Sequence, residues 1–144
     1  MSRLLLIMAA AFLMTLNMNC KKPVDYTELK AFMNEVLTAN EEYMKALETA
    51  KRPDDVEKAI KAITKRFESF SLKTEPLIKK YPIMKEMNMT KHPSELNSEF
   101  ERQKHLSEKM RLDSEKRGKY FNDKKVVKAF TELTKVMMKA KFFM

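Results

Sequence analysis

Glycine is almost absent from this chain, since Gly118 is the single glycine among 144 residues. Tight turns and β-hairpins rely on glycine where the backbone needs a positive φ, so a fold built from many short strands is disfavoured. Lysine, glutamate, leucine, methionine and alanine are abundant, and all five favour helices. The sequence therefore predicts an all-α fold.

Four segments carry apolar residues at three- and four-residue steps, which is the pattern of amphipathic helices. The first segment runs from Asp25 to about Ala50, the second opens at Pro53, the third ends at Gly118, and the fourth follows Asn122. Short connections between such helices favour antiparallel neighbours. We therefore expect an antiparallel bundle of about four helices.

Residues typical of helix ends mark several of these boundaries. Asp25 and Glu28 have the spacing of a capping box at the start of the first helix. The third helix begins either with Pro93 in its first turn or with Ser94 as its cap, and the sequence leaves both options open. Asn122 is the predicted cap of the fourth helix.

Two prolines interrupt the second helix. Proline lacks a backbone N–H and its ring clashes with the preceding turn, so Pro76 and Pro82 both oppose an uninterrupted helix. We expect a break or kink between Leu72 and Pro76, followed by a shorter helical piece with Leu77 facing inward.

The fourth helix carries a dense apolar stripe, which we expect to face the core, and a separate row of lysines. The stripe comprises Val126, Val127, Phe130, Leu133, Val136, Met137 and Ala140. The lysine row comprises Lys124, Lys128, Lys135 and Lys139. These lysines are candidates for binding a polyanion. A lysine-rich surface that only keeps the protein soluble is the alternative interpretation.

The first twenty residues differ from the rest of the chain. Residues 1–3 include an arginine, residues 4–14 are all apolar, and a short polar neck precedes Cys20, the single cysteine. This order is that of a secretory signal peptide, and the apolar run is shorter than the about 20 residues that cross a membrane. We predict a signal peptide at residues 1–19, a tether at residues 20–24 and a helical bundle at residues 25–144. A buried first helix is the alternative.

The residues around Cys20 resemble the lipobox of bacterial lipoproteins, in which a diacylglycerol is attached to the cysteine thiol before cleavage. Asn17 and Asn19 occupy positions that usually hold an aliphatic and a small residue, as in the relaxed lipobox of spirochaetal lipoproteins. The resemblance implies cleavage between Asn19 and Cys20, acyl chains such as palmitate on Cys20, and a place in the bacterial cell envelope. The first acidic residue after Cys20 is Asp25, which is similar to lipoproteins sorted to the outer membrane. An incidental cysteine is the alternative.

The charge of the exported part points to acidic partners. The whole chain has a formal net charge of +9, and Arg3 is the only charged residue in the predicted signal peptide, which leaves +8. Anionic lipid headgroups or polysaccharides fit this charge in the cell envelope, whereas nucleic acid does not fit that location.

Side chains with ligand or catalytic chemistry are sparse in the sequence. Met84, Met87, Met89 and His92 lie within nine residues, and thioethers with an imidazole can hold Cu(I), although methionine is more often core filler. The acidic pairs 41–42 and 54–55 point to different helix faces, so we interpret them as solvated or dipole-facing charges. We expect a non-enzymatic binding or structural module without a cofactor other than the acyl chains. A periplasmic binder of a metal or small ligand in the bundle core is the alternative.

Overall fold

The computed structural model describes residues 23–140. Most of this region is helical, in α1 (Thr27–Thr49), α2 (Pro53–Lys80), α3 (Asn97–Arg117) and α4 (Lys124–Ala140). Short 3-10 helices span Pro82–Lys85, Ser94–Leu96 and Gly118–Tyr120. Between residues 23 and 140 there is no strand, although an isolated bridge joins Asn88 and Lys91. The predicted all-α fold with four helices is confirmed.

Regularly spaced ion pairs join α1 to α2. The acidic partners lie on α1 at seven-residue intervals and the basic partners lie on α2 at the same intervals: Glu28 with Lys80, Glu35 with Lys73, and Glu42 with Arg66. Residue numbers rise along α1 as they fall along α2, so the two helices are antiparallel. Glu42 is therefore not simply solvated, as its sequence context suggested, but contacts the neighbouring helix.

The other helices continue this alternation of direction. Two ion pairs join α1 to α3, Glu41 with Arg102 and Glu48 with Lys109. Residue numbers rise along both helices from one pair to the next, so α1 and α3 are parallel. The first turns of α2 and α4 are joined by Asp54 and Lys125, and farther along both helices Phe67 and Met137 line the same cleft, so α2 and α4 are parallel. Each helix therefore runs opposite to the one before it, as predicted for an antiparallel bundle.

The hydrophobic core lies between α1 and α2 and extends to α3 on one side and to α4 on the other. The bulkiest fully buried side chains come from α1, α2, α4 and the 3-10 turn before α3: Leu29, Val56, Ile60, Leu96 and Val126. Within residues 23–140, α2 contacts α4 extensively and α1 contacts both α2 and α3, whereas α3 and α4 have few direct contacts. This arrangement leaves a cleft between α3 and α4.

The helix is not broken before Pro76, because α2 continues through this proline to Lys80; the predicted break falls at Pro82 instead. Pro76 lies on the exposed side of α2, and the Leu72 side chain is 80% exposed. The Leu72 carbonyl, which loses its donor at Pro76, therefore lies where water can replace that hydrogen bond. The helix ends just before Pro82, where a short 3-10 turn takes over, and Leu77 is buried as predicted.

The structure replaces two predicted caps. Asp25 accepts a hydrogen bond from the Thr27 backbone N–H at 2.9 Å, but Glu28 pairs with Lys80 instead of completing a capping box. Asp123, rather than Asn122, caps α4, because its Oδ1 accepts hydrogen bonds from the backbone N–H groups of residues 125 and 126, at 2.8 and 3.3 Å. This geometry satisfies N–H groups that have no partner within the helix.

Two further boundaries fall close to the predicted places. Neither option for the start of α3 holds, since Ser94–Leu96 forms a 3-10 turn and the α-helix begins at Asn97. The helix ends at Arg117, as predicted, but Gly118 has φ −46° and ψ −31°, which is ordinary helical geometry. The chain therefore continues from α3 into the 3-10 turn Gly118–Tyr120.

Candidate functional site

The lysine row of α4 is the strongest candidate site in the described region. Buried Val126, Ala129 and Leu133 hold α4 against α2 and fix the rotation of the helix. With 3.6 residues per turn, the four predicted lysines fall within roughly 60° of the helix circumference. All four are exposed. The structure therefore brings Lys124, Lys128, Lys135 and Lys139 onto one solvent-facing surface, which we call the lysine face.

The lysine face is largely free of compensating charge. Among the side chains that the structure describes, Lys124, Lys128 and Lys139 form no ion pair, whereas Lys135 pairs with Glu132 at 3.0 Å. Both members of that pair are more than half exposed, so water and salt screen their attraction. Glu132 is the only acidic residue within α4. The surface therefore presents concentrated positive charge to solvent.

A fifth lysine, Lys125, has a structural role instead. Its ammonium contacts the Asp54 carboxylate at 2.9 Å and joins the first turns of α4 and α2. The hydrogen bond from Lys125 lowers the pKa of Asp54, and the same contact raises the pKa of Lys125. Asp54 lies in the first turn of α2, as its interpretation as a dipole-facing charge requires, and is also an interhelical partner.

The apolar stripe of α4 is wider than its contact with the core. Val126 and Leu133 are buried, but Val127 is 46% exposed and Phe130 is 40% exposed. Met138, which the predicted stripe omitted, is 66% exposed. We call Val127, Phe130 and Met138 the apolar row. Only part of the predicted stripe therefore packs against the core.

The apolar row lies directly beside the lysine face. At 100° per residue, Thr134 falls within the same sector as the apolar row, whereas Thr131 lies between Met138 and Lys124, roughly 20° from each. Phe121, from the turn before α4, packs edge-on against Phe130 with ring centroids 5.5 Å apart. A shallow depression between these residues is lined by Phe121, Val127, Phe130, Thr131, Thr134 and Lys135. In the sequence, the exposed apolar row was indicated only by the breadth of the apolar stripe, which is wider than one neighbouring helix can cover.

The cleft between α3 and α4 is a second candidate site. Its volume is about 230 Å³, and its walls are mainly apolar. The lining residues are Met33, Val36, Leu37, Asn40, Phe67, Gln103, Leu106, Ser107, Met110 and Met137. Its volume is below the roughly 300–1,000 Å³ of typical small-molecule sites. The Asn40 amide and the Ser107 hydroxyl both donate to carbonyls of their own helices, so neither is held ready for a ligand.

The four proposed copper ligands occupy different environments. Met84 and Met87 are buried in the core, whereas Met89 is 43% exposed. The His92 ring stacks on Phe100 at a centroid distance of 3.8 Å. Its Nδ1 lies 3.1 Å from the Asn88 carbonyl and its Nε2 lies 3.0 Å from Asn97 Oδ1. A metal ion at His92 would have to replace one of these hydrogen bonds.

A polar cluster between α1 and α3 was not foreseen from the sequence. Glu99 is 3% exposed, and its Oε1 accepts a hydrogen bond from Asn34 Nδ2 at 3.0 Å. Arg102 donates to Asn34 Oδ1 at 3.0 Å and binds both oxygens of Glu41. The cluster fixes α3 against α1, so Glu41, although 43% exposed, is also an interhelical partner. Its residues are separated by more than 60 positions, so local patterns do not reveal it.

Charge and burial oppose each other at these carboxylates. Burial disfavours the ionised form of Glu99, but hydrogen bonds from Ser98 and Asn34 outweigh it and lower the pKa of Glu99 below its ordinary value. The hydrogen bond from Arg102 lowers the pKa of Glu41. Both groups therefore act as ionised partners that hold helices together.

The predicted lipidation site, Cys20, and the cleavage position after Asn19 lie outside the described residues. Within residues 23–140, no helix combines the length and apolar character that crossing a bilayer requires. In the same region, no group of three or more histidine, cysteine, aspartate or glutamate side chains is arranged to hold a metal ion.

Comparison of the chain with protein-family models, curated proteins and solved structures finds no match.

Proposed function

We propose that this protein is a lipid-anchored lipoprotein of a bacterial cell envelope, with the outer membrane as its favoured location. Residues 1–19 are its signal peptide, and Cys20 carries the acyl chains. The bundle is a non-enzymatic binding module, and its lysine face holds a polyanion of the envelope, either anionic lipid headgroups or an acidic polysaccharide.

The observation that carries the binding proposal is the absence of ion pairs at three of the four lysines. Lys124, Lys128 and Lys139 share one exposed surface without an acidic partner among the described residues. Ammonium groups close to one another raise the local positive potential and attract anions over about one Debye length, roughly 8 Å at physiological salt. Lysines that served only solubility need no such clustering, because mixed charges achieve the same end.

The anchor is tested by intact-mass analysis of the protein purified from its native membrane. We expect the mass of residues 20–144 plus acyl chains, and Cys20→Ser should remove the acyl chains and leave residues 1–19 uncleaved, since acylation precedes cleavage. A polypeptide that begins at Met1, or one with an unmodified thiol at Cys20, contradicts the anchor.

The lysine face is tested with soluble heparin as the probe and with the full mature protein in mild detergent. Lysines beside an anionic surface contribute about 1 kcal/mol each, so replacing Lys124, Lys128 and Lys139 with glutamine should weaken binding on the order of 100-fold at low salt. Binding should also decline steeply as salt is added.

A matched control separates the lysine face from net charge. The control variant replaces Lys45, Lys85 and Lys104 with glutamine, and these lysines are exposed and form no ion pair within the described region. Both triple variants lose the same charge, and we expect the control to retain nearly all heparin binding. Equal weakening by the two variants, or binding that ignores salt, contradicts the proposal.

A further inference from the structure

We infer that the polyanion at the lysine face is the surface of an anionic lipid bilayer, and that α4 lies in its headgroup layer with the apolar row inserted. This inference rests on the proposed function, because it uses the same lysine face. It goes further by choosing lipid over polysaccharide and by assigning a role to the apolar row.

The exposed apolar row is the first observation in favour of lipid. Val127, Phe130 and Met138 expose between 40% and 66% of their surface on one side of α4. A hydrated polysaccharide gains little from contact with such side chains, whereas a bilayer removes them from water. Among the described residues, α3 does not cover this side of the helix, and Phe121 covers Phe130 only in part, leaving it 40% exposed.

The placement of charge relative to the apolar row is the second observation. Helices that lie in the plane of a membrane carry phenylalanine or other apolar residues on one face and lysines along its border. On α4 the lysine face begins roughly 40° beyond Met138, the nearest residue of the apolar row, so its ammonium groups reach headgroup phosphates while the apolar row enters the acyl boundary.

Acidic side chains do not oppose this orientation. Glu132 lies on the far side of the lysine face from the apolar row and pairs with Lys135. Asp123 is directed to the backbone N–H groups of the first turn of α4. The surface that meets the bilayer therefore combines apolar side chains, threonines and uncompensated lysines, which is complementary to an anionic lipid surface.

The absence of tryptophan from the chain provides a specific reporter. Phe130→Trp places a single indole in the apolar row and preserves an aromatic ring against Phe121. The control is His105→Trp on α3, where the side chain is 78% exposed and does not line the cleft between α3 and α4. Each full mature protein is incorporated into vesicles of neutral lipid or of neutral lipid mixed with anionic lipid.

Brominated acyl chains quench indoles that enter the bilayer. We expect a blue shift and at least half of the emission quenched for Phe130→Trp in anionic vesicles, and little change in neutral vesicles or at high salt. The His105→Trp control should remain unquenched in both. Adding Lys124→Gln, Lys128→Gln and Lys139→Gln to Phe130→Trp should abolish the quenching.

A second variant separates insertion from charge attraction. Val127→Ser with Met138→Ser in the Phe130→Trp protein should lose most of the quenching but keep its retention on heparin. Circular dichroism verifies that each variant remains helical. Because the two substituted side chains are already exposed, their replacement should leave the fold intact.

The outcomes separate this inference from the proposed function. No quenching at position 130 in anionic vesicles, together with heparin binding that depends on the lysine face, overturns the bilayer and leaves a polysaccharide as the ligand. Quenching that ignores lysines and anionic lipid overturns the electrostatic part. A blue shift that depends on protein concentration without lipid indicates a second copy on the apolar row and also overturns the inference. Loss of lysine-dependent binding to both probes contradicts the proposed function itself.

Discussion

Asn34 occupies the centre of the polar cluster between α1 and α3, so its removal should destabilise the fold more than its partial exposure suggests. Its Nδ2 donates to Glu99, whose side chain is 4% exposed, and its Oδ1 accepts from Arg102, both at 3.0 Å. Asn34→Ala removes both hydrogen bonds at once. It leaves the buried Glu99 carboxylate with one hydrogen-bond donor fewer.

The cost follows from these two contacts. A hydrogen bond to a buried charged group contributes about 1.5–3 kcal/mol, and one to a partly exposed guanidinium contributes roughly 0.5–1.5 kcal/mol. We therefore expect Asn34→Ala to lower the free energy of unfolding by about 2–4 kcal/mol. At roughly 4 °C per kcal/mol for a domain of this size, the melting temperature should fall by about 8–16 °C.

Asn40 provides a matched control on the same helix. It is also half-buried, but its Nδ2 donates only to the Val36 carbonyl within α1, at 2.9 Å. Urea titration followed by circular dichroism should show that Asn40→Ala costs less than about 1 kcal/mol. A double-mutant cycle of Asn34→Ala with Glu99→Gln should give a coupling energy of at least about 1 kcal/mol.

Two results would refute this reasoning. If both asparagine variants lose the same stability, the cluster adds nothing beyond the substitution itself. If the cycle shows no coupling, Asn34 does not stabilise the ionised Glu99, and its contacts with Arg102 must account for any loss.

Three further predictions concern titration, capping and the proline in α2. Because the folded-state pKa of Glu99 lies below its ordinary 4.5, its stabilisation is complete above that pH and is lost as the pH falls below it, so Glu99→Gln should flatten the acid limb of a stability–pH curve. Asp123→Ala should cost about 1 kcal/mol in urea titration while Asn122→Ala costs almost nothing, and equal losses would contradict the assigned cap. Pro76→Ala should raise the free energy of unfolding by about 1–3 kcal/mol, since it gives Leu72 a donor, and destabilisation by this variant would contradict the continuous helix.

Helix content and most helix boundaries could be predicted because they depend on local chemistry. Pro53 begins α2, as its backbone preference indicated, and Gly118 follows the last residue of α3, although its backbone is helical. The continuation of α2 through Pro76 was not predictable in the same way. It depends on which side of the helix faces water, and that is decided by packing against α1 and α4.

The candidate site was predicted in part for the same reason. Helical periodicity alone places the lysines of α4 on one face, and the structure shows this face exposed. Periodicity cannot divide a broad apolar stripe into a buried and an exposed part, since that depends on the width of the neighbouring helix. Val127 and Phe130 therefore became visible as surface residues only with α2 in place.

The regularly spaced ion pairs between α1 and α2 have a consequence for the alignment of these two helices. All its acids lie on one helix and all its bases on the other, at seven-residue intervals. If one helix were displaced along the other by seven residues, or two turns, two of the three ion pairs could still form. The ion pairs are therefore compatible with several alignments of α1 and α2. The edge-on contact of Phe32 with Phe70 and the short connection between the two helices are compatible with only one of them.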